Sequence, residues 1–366
     1  VTDMTRRATG WHRLRVGSVE PLTDDAVAVS LEVPEALAGV FAHRPGQHVT
    51  VRHVLDGREL RRSYSVCPPP PPGACDGLRL VVKRLGPGGF AEYATRDLAA
   101  GDLLELAPPT GDFRLATRRG AHHVLIAAGS GITPLLSMAQ AALRDDRACR
   151  VSLVHANRTA RSVLLADELA DLKDAHPGRF FVLHVLSRET RETDLLSGRI
   201  DTDRLPRLLA LLGAEPGDDT HFYLCGPWGL VEEGRAALAA WGADPERVRF
   251  ELFSTGTAFP EDGPDGPARR SAGTAGRITA RLGGRTTVTT MEPGDRAVLD
   301  ALLRARPETP YSCRDGLCGS CRAKVTGGRV TLGRQYALGA DELAAGYTLA
   351  CRALPESDDI EFDFDA

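Results

Sequence analysis

Between His122 and Phe253, near-continuous apolar runs alternate with segments of helical spacing, and this alternation restricts the fold more than any other feature of the chain. The runs "HHVLIAAG", "RVSLVHANR", "RFFVLHVLS" and "HFYLCG" suit strands covered on both faces. In "TPLLSMAQAALRDD", "SVLLADELADLKDAH" and "GLVEEGRAALAAWG" apolar residues recur three and four apart, the period of a helix with one buried stripe. Strands and helices in strict succession bury both surfaces best as a parallel, doubly wound α/β sheet. We assign this region residues 119–253, closing with "VRFELF".

Residues 1–118 follow another rhythm. "RLRVGSVEPLTDDAVAVSLEV" and "HVTVRHVLDGRELRRSYSV" alternate apolar and polar residues between turn signals, and "LRLVVKRL" is a further strand. "CPPPPPG" cannot join a central strand and is expected to be an exposed loop. Many short strands without a long helix predict an antiparallel β-barrel. After Phe253 comes "STGTAFPEDGPDGPARRSAGTAG", residues 254–276, a composition with almost nothing to bury that reads as a flexible linker. Residues 277–366 hold short strands around one helix, "DRAVLDALLRAR". A chain of 366 residues is long enough for each of these regions to bury its own core.

The formal net charge of −4, with no basic run, argues against a nucleic-acid partner. The longest apolar stretch, "HHVLIAAGSGITPLLSM", is too short and glycine-rich for a membrane span, and "VTDMTRRATG" lacks the apolar core of a signal peptide. These features predict a cytoplasmic location, where clustered cysteines bind metal more often than they form disulfides. Cys313, Cys318 and Cys321 sit in "YSCRDGLCGSC", and Cys351 follows after twenty-nine further residues. C-x4-C-x2-C with a distant fourth cysteine is the plant-type [2Fe–2S] ligand spacing. Thiolates are soft ligands that suit iron–sulfide, and Gly316 and Gly319 would let the loop turn closely around a cluster. A four-cysteine zinc site shares ligand type and number, although such sites usually carry two C-x2-C pairs. That alternative would make the chain a zinc-bearing interaction protein. Cys67, Cys75, Cys149 and Cys225 are scattered.

"YSCRDGLCGSCRAKVTGG" resembles the plant-type ferredoxin domain, which implies an α+β β-grasp fold for residues 277–366 and metal ligation by Cys313, Cys318, Cys321 and Cys351. The two upstream regions resemble the flavin and pyridine-nucleotide domains of the ferredoxin–NADP reductase family. "RRSYSV" is similar to that family's flavin signature at Arg62, Tyr64 and Ser65. The resemblance implies FAD, with Arg62 on the pyrophosphate, Tyr64 stacked on the ring and Ser65 near the flavin N5. "VVKRLGPGGFAEYA" is similar to the second flavin segment, which places Val82, Lys83, Gly89, Phe90 and Ala91 at the cofactor. The family pattern has Ser where this chain has Ala91, so the phosphates would rest on backbone N–H groups there.

In the nucleotide region, "AGSGITP" puts Gly129, Ser130 and Gly131 between strand and helix, where Thr133 can add a hydroxyl and Pro134 stands in the helix's first turn. "YLCGPWGLV" is the family's second signature; it implies Cys225, Gly226 and Pro227 near the nicotinamide. Asn157, Arg158 and Ser162 follow the second strand with no acid until Asp167, and Arg188 follows the third. Two guanidiniums suit a 2′-phosphate, which favours NADPH over NADH. Glu251 is a candidate proton-relay residue. The order flavin, nucleotide, ferredoxin resembles reductase components of bacterial oxygenases, and implies a di-iron or Rieske oxygenase component as acceptor. Residues 155–201 are most similar to the reductase subunits of phenylacetyl-CoA epoxidases, with 3-ketosteroid 9α-hydroxylase reductases second.

Overall fold

A computed structural model describes residues 10–55, 57–67, 77–116, 118–253 and 276–366. The proline-rich loop after Cys67, Cys75 and linker residues 254–275 lie outside them. Two compact units result. Of the described residues, one unit holds 13–60 and 64–253; the other holds 276–366 with 10–12 and 61–63.

The first unit begins with six strands: β1 (His12–Thr23), β2 (Ala26–Glu32), β3 (His48–Leu55), β4 (Arg58–Cys67), β5 (Gly77–Lys83) and β6 (Leu103–Leu106). They close into an antiparallel barrel in the order β1-β2-β5-β4-β3-β6. Its inward residues, among them Leu14, Val29, Leu31, Val49, Leu80 and Leu106, are buried in one cluster. Helix α1 (Gly89–Arg96) adds Phe90 and Ala94 to that cluster.

The sheet of the same unit contains β7 (His122–Ala128), β8 (Arg150–Asn157), β9 (Phe180–Leu186), β10 (Thr220–Gly226) and β11 (Val248–Leu252). All pairs are parallel, in the order β11-β10-β7-β8-β9. Between them run α2 (Ile132–Asp145), α3 (Ala166–Ala175), α4 (Arg204–Leu211) and α5 (Trp228–Ala240). The chain winds outward from β7 to β9 and then returns to the far side of β7, so the strand order reverses between β7 and β10. In doubly wound sheets the ligand crevice opens at that point. Two details depart from the apolar spacing. Helix α3 starts only at Ala166, because Leu165 adopts a left-handed φ of 58° that breaks the helical run. Helix α4, with Pro206 in its first turn, stands out less because its apolar stripe is short. Barrel and sheet share buried core: Ala26, Cys67, Val81 and Phe113 pack with Leu125, Ile132 and Leu135. Arg79 of β5 reaches Glu168 of α3 at 2.8 Å with its side chain almost fully buried.

The second unit has β12 (Arg277–Leu282), β13 (Arg285–Thr290), α6 (Val298–Ala305), β14 (Arg322–Gly327), β15 (Val330–Leu332), α7 (Ala340–Ala344), β16 (Tyr347–Leu349), β17 (Ala353–Pro355) and β18 (Asp359–Asp363). Five strands form a mixed sheet, β13-β12-β18-β14-β16, in which β12 and β18 are parallel. Helix α6 buries Val298, Leu299, Ala301 and Leu302 in the core formed with that sheet, an α+β arrangement. Among the described residues no helix is long and apolar enough to cross a membrane.

Histidines are buried in the parallel sheet. Burial, helped by Arg150, lowers the pKa of His122 to about 4. Burial and then His221 lower that of His123 to about 4, and burial with His184 lowers that of His155 to about 3. Their folded pKa values lie below the unfolded value, so the unfolded chain binds more protons as pH falls. The stability they permit is complete above pH 6.5 and is lost as pH falls from 6.5 toward 4. Denaturant titrations at pH 7 and pH 5 are expected to differ by roughly 2 kcal/mol per histidine, and His123→Gln is expected to flatten that dependence.

Candidate cofactor sites

The reversal of strand order brings two glycine turns together. Gly129–Gly131 form a single tight turn between β7 and α2, with Gly129 at φ 53°. A Cβ on Gly131 would lie 2.0 Å from the carbonyl oxygen of Cys225 and 2.8 Å from the nitrogen of Gly226, so this turn touches the end of β10 backbone to backbone. The Thr133 hydroxyl donates to the Ser130 carbonyl at 2.9 Å and is buried, which fixes the turn. Pro134 stands in the first turn of α2, where its missing N–H costs nothing. Pro227, exposed, caps the start of α5.

Cys225 is fully buried. Burial, and secondarily the Glu251 carboxylate, push its thiol well above the usual range, so it stays protonated at neutral pH. Glu251 lies directly across from it on β11. One Glu251 oxygen is 3.6 Å from Nδ1 of His48 on β3, while the other is buried without a protein partner among the described residues. Sequence reasoning missed His48. The available signal was an ionisable residue inside "GQHVTV", a strand that otherwise buries small and apolar side chains.

At the carboxyl end of β8, Asn157 is buried and neither side-chain amide atom has a protein partner among the described residues. An orphaned amide at this end of the sheet fits a ligand. Arg158 and Arg188 are both exposed and adjacent: the Arg188 N–H donates to the Arg158 carbonyl at 2.8 Å. Ser162 is engaged locally, its hydroxyl bonded to the N–H and C=O of Thr159 at 3.0 and 2.8 Å. Glu189 accepts from the Ala160 N–H at 3.1 Å, bringing one carboxylate to the same edge.

In the barrel, Ser65 is buried and its hydroxyl lacks a protein partner among the described residues. The Tyr64 ring is half-buried, 5.7 Å from Phe90. Phe90 itself is buried in the barrel core, so only its backbone can face a ligand. Val82 is also core, whereas Lys83 pairs with Asp25 at 3.5 Å. Arg62 is exposed, its guanidinium donating to the neighbouring carbonyl of Arg61 at 2.8 Å. Gly88 and Gly89 have φ of 79° and 77° and open space where a Cβ would point. Ala91 follows, half-buried, and Glu92 curls back so that its carboxylate accepts from the Gly88 N–H. These features leave open space at the glycine turn and one unpartnered hydroxyl, that of Ser65, for a flavin.

The four cysteines of the second unit lie within electrostatic reach of one another. Cys313 hydrogen-bonds Cys318, and this contact with burial raises its thiol well above the usual range. Cys321 hydrogen-bonds Cys351, and this contact with burial does the same. Cys321 and Cys351 are buried, whereas Cys313 and Cys318 are half-exposed. Among the described residues no three metal-binding side chains gather around one point. Cys351 also acts on Cys313 and Cys318 on Cys321, so the four thiols lie near one another, a soft donor set that suits an iron–sulfur cluster. The loop turns left-handed at Arg314, Gly316 and Gly319, with φ of 64°, 75° and 67°. The N–H groups of Asp315 and Leu317 point at the Cys313 sulfur at 3.4 and 3.3 Å. Donors aimed at a ligand sulfur favour its thiolate form.

Comparison with known proteins decides the family. Residues 13–115 match the oxidoreductase FAD-binding domain, 125–235 the oxidoreductase NAD-binding domain, and 281–356 the 2Fe-2S iron-sulfur cluster binding domain. Over 98% of its length the chain is 37% identical to a 1,2-phenylacetyl-CoA epoxidase subunit from Escherichia coli (strain K12), covering 99% of that protein. The chain belongs to the family of oxygenase reductase components. The ferredoxin reductase component of 3-ketosteroid-9-alpha-monooxygenase from Rhodococcus rhodochrous is 31% identical, with 96% of each chain covered. Phthalate dioxygenase reductase, whose structure is described as a modular one for electron transfer from pyridine nucleotides to [2Fe–2S], aligns with a TM-score of 0.57 at 25% identity. That alignment covers 97% of this chain and 98% of the other. The cofactors of the family are FAD, NAD(P)H and a [2Fe–2S] cluster. These matches set aside the zinc-bearing interaction protein.

The backbone contact at the switch point admits no side chain. Gly131→Ala is expected to lose about 2 kcal/mol or more, because the clash is with backbone that no rotamer change relieves. Thermal unfolding, together with the midpoint of nucleotide binding, checks this.

Proposed function

We propose that this chain is the electron-supplying subunit of a phenylacetyl-CoA epoxidase, working from NADPH. The observation that carries this reading is the 37% identity sustained over nearly all of both chains, across three domains in the same order. The 31% identity to the ketosteroid monooxygenase reductase makes that acceptor the alternative. When bound, the cofactors supply the redox chemistry, FAD linking a two-electron nicotinamide donor to the one-electron [2Fe–2S] centre.

The protein's part is placement. Tyr64 offers a ring face to the flavin, and the unpaired Ser65 hydroxyl offers a hydrogen bond near N5. Arg62 and the N–H groups of Gly89, Phe90 and Ala91 serve the pyrophosphate. The Gly129–Gly131 turn, braced by the Thr133 hydroxyl, receives the dinucleotide phosphates, with Gly226 and Pro227 shaping the nicotinamide end. Cys225, protonated and buried, acts there as an uncharged contact rather than a nucleophile. Glu251 is positioned to hold or pass a proton, with His48 as its neighbour. Cys313, Cys318, Cys321 and Cys351 ligate the cluster. Four ligand thiols need a reducing compartment, which supports a cytoplasmic location.

Cys318→Ser is expected to remove the cluster's visible absorbance and abolish electron delivery to the oxygenase component. Anaerobic NADPH should still bleach the flavin of this variant in stopped flow. Loss of flavin reduction as well would contradict the modular route. The adjacent Arg158 and Arg188 are read as 2′-phosphate ligands. Replacing both by Ala is expected to raise KM for NADPH about tenfold or more while leaving KM for NADH nearly unchanged. Equal effects on the two nucleotides would contradict the NADPH preference. Reconstitution with a phenylacetyl-CoA oxygenase component tests the acceptor: epoxide formation is expected, and reduction of a ketosteroid hydroxylase component alone would favour the alternative.

A further inference from the structure

We propose that His155 is a positioning residue of the nucleotide site, its buried ring holding the Gly129 carbonyl so that the next backbone N–H is aimed at a dinucleotide phosphate. This inference rests on the reading of the Gly129–Gly131 turn as the phosphate site. His155 lies on β8, directly opposite Ala127 of β7, the residue two before Gly129. Its Nε2 is 3.3 Å from the Gly129 carbonyl oxygen. A carbonyl can only accept, so Nε2 carries the proton and Nδ1 is the bare nitrogen.

In a planar trans peptide the C=O and the N–H point in opposite directions. A ring that holds the Gly129 oxygen therefore turns the Ser130 N–H the other way, out of the buried interior. Gly129, at φ 53°, has the freedom to take up that orientation. The following peptide is braced in the same manner, because the Ser130 carbonyl accepts the Thr133 hydroxyl at 2.9 Å. His155 thus steadies the first peptide of the turn and Thr133 the second. An N–H fixed before an anion arrives costs no reordering when the anion binds.

Packing alone does not account for a histidine here. Leu153 and Val151, two and four residues earlier, share its face of β8 and belong to the apolar core. His155 is fully buried, and its Nδ1 has no protein partner among the described residues. Opposite it on β9, the His184 ring lies 5.7 Å away and tilted, and its Nδ1 also lacks a partner among them. Burial, and then His184 and Lys83, hold the His155 pKa down to about 3, so the ring is neutral and keeps a single N–H. A buried nitrogen left bare is a cost that an apolar residue would not carry. The Gly129 carbonyl also accepts from the Ile132 N–H, so the turn survives without the ring. What the ring adds is the direction of one peptide.

The test uses the full chain with its FAD and cluster, and three hydride donors: NADPH, NADH and 1-benzyl-1,4-dihydronicotinamide, which has no phosphate. Flavin reduction is followed by anaerobic stopped flow over a range of donor concentrations. His155→Phe and His155→Leu are each expected to raise the half-saturating concentration about five- to tenfold. The effect should be equal for NADPH and NADH, which share the pyrophosphate and differ only at the 2′-phosphate. The limiting rate at saturation, and the rate with the benzyl compound, should stay within about twofold of the unsubstituted chain. His155→Gln, whose amide N–H can donate to the same carbonyl, should recover much of the affinity. Bound flavin and the thermal midpoint are expected to be kept in all three variants. Unchanged half-saturation, an equal loss with the phosphate-free donor, or a Gln variant no better than Leu would overturn the role of His155. If the phosphate-free donor half-saturated the unsubstituted chain at the same concentration as NADPH, the phosphate site would fall, and this inference with it.

Discussion

The first unit depends on a backbone contact: Gly131 lies so close to the end of β10 that a methyl group would sit 2.0 Å from the Cys225 carbonyl oxygen. That contact fixes where α2 starts relative to β10, and hence where a crevice can open. Thr133 locks the turn from one side, and the register that sets Cys225 opposite Glu251 locks it from the other. A site built on strand ends and one tight turn is held more stiffly than one built on loops, which matters when cofactors must meet at fixed separation.

The fold also buries polar atoms that have no protein partner among the described residues. Ser65, Asn157 and one oxygen of Glu251 are buried with unpaired atoms, a costly state that a protein normally avoids. A bound flavin and nucleotide would supply partners for such groups. The Glu251–His48 contact ties β11 to β3, so the same carboxylate belongs to both halves of the unit. The second unit follows the same logic with sulfur. Three of its four thiols sit on a loop with three left-handed residues, two of them glycines, and Cys351 joins them from beyond β16.

Much of the fold was legible because periodicity reports burial directly. The parallel sheet followed from its apolar runs, and the barrel from short alternating strands. Helix α4 and the late start of α3 were less legible, since a short stripe and a single left-handed residue leave little trace in spacing. Of the candidate site residues, the cysteine ligands were the clearest, because a coordination sphere demands particular residues at particular separations. The side chains of Phe90 and Val82 are barrel core, a placement that spacing alone does not separate from a cofactor contact. Ser162 likewise spends its hydroxyl on a local turn.

By itself the sequence determined the three-region order and the cofactor chemistry, and it named four candidate sulfur ligands, because ligand type, glycine turns and hydrophobic period are local properties. Only tertiary structure decided what depends on residues far apart in the chain. It brought Cys351 to the thiols of the 313–321 loop, and it placed His48 against Glu251. It also gathered Arg296, Arg314 and Arg352 around Cys351. Such contacts leave no periodic mark, since they arise from how strands and loops pack and not from the spacing of residues along any one of them.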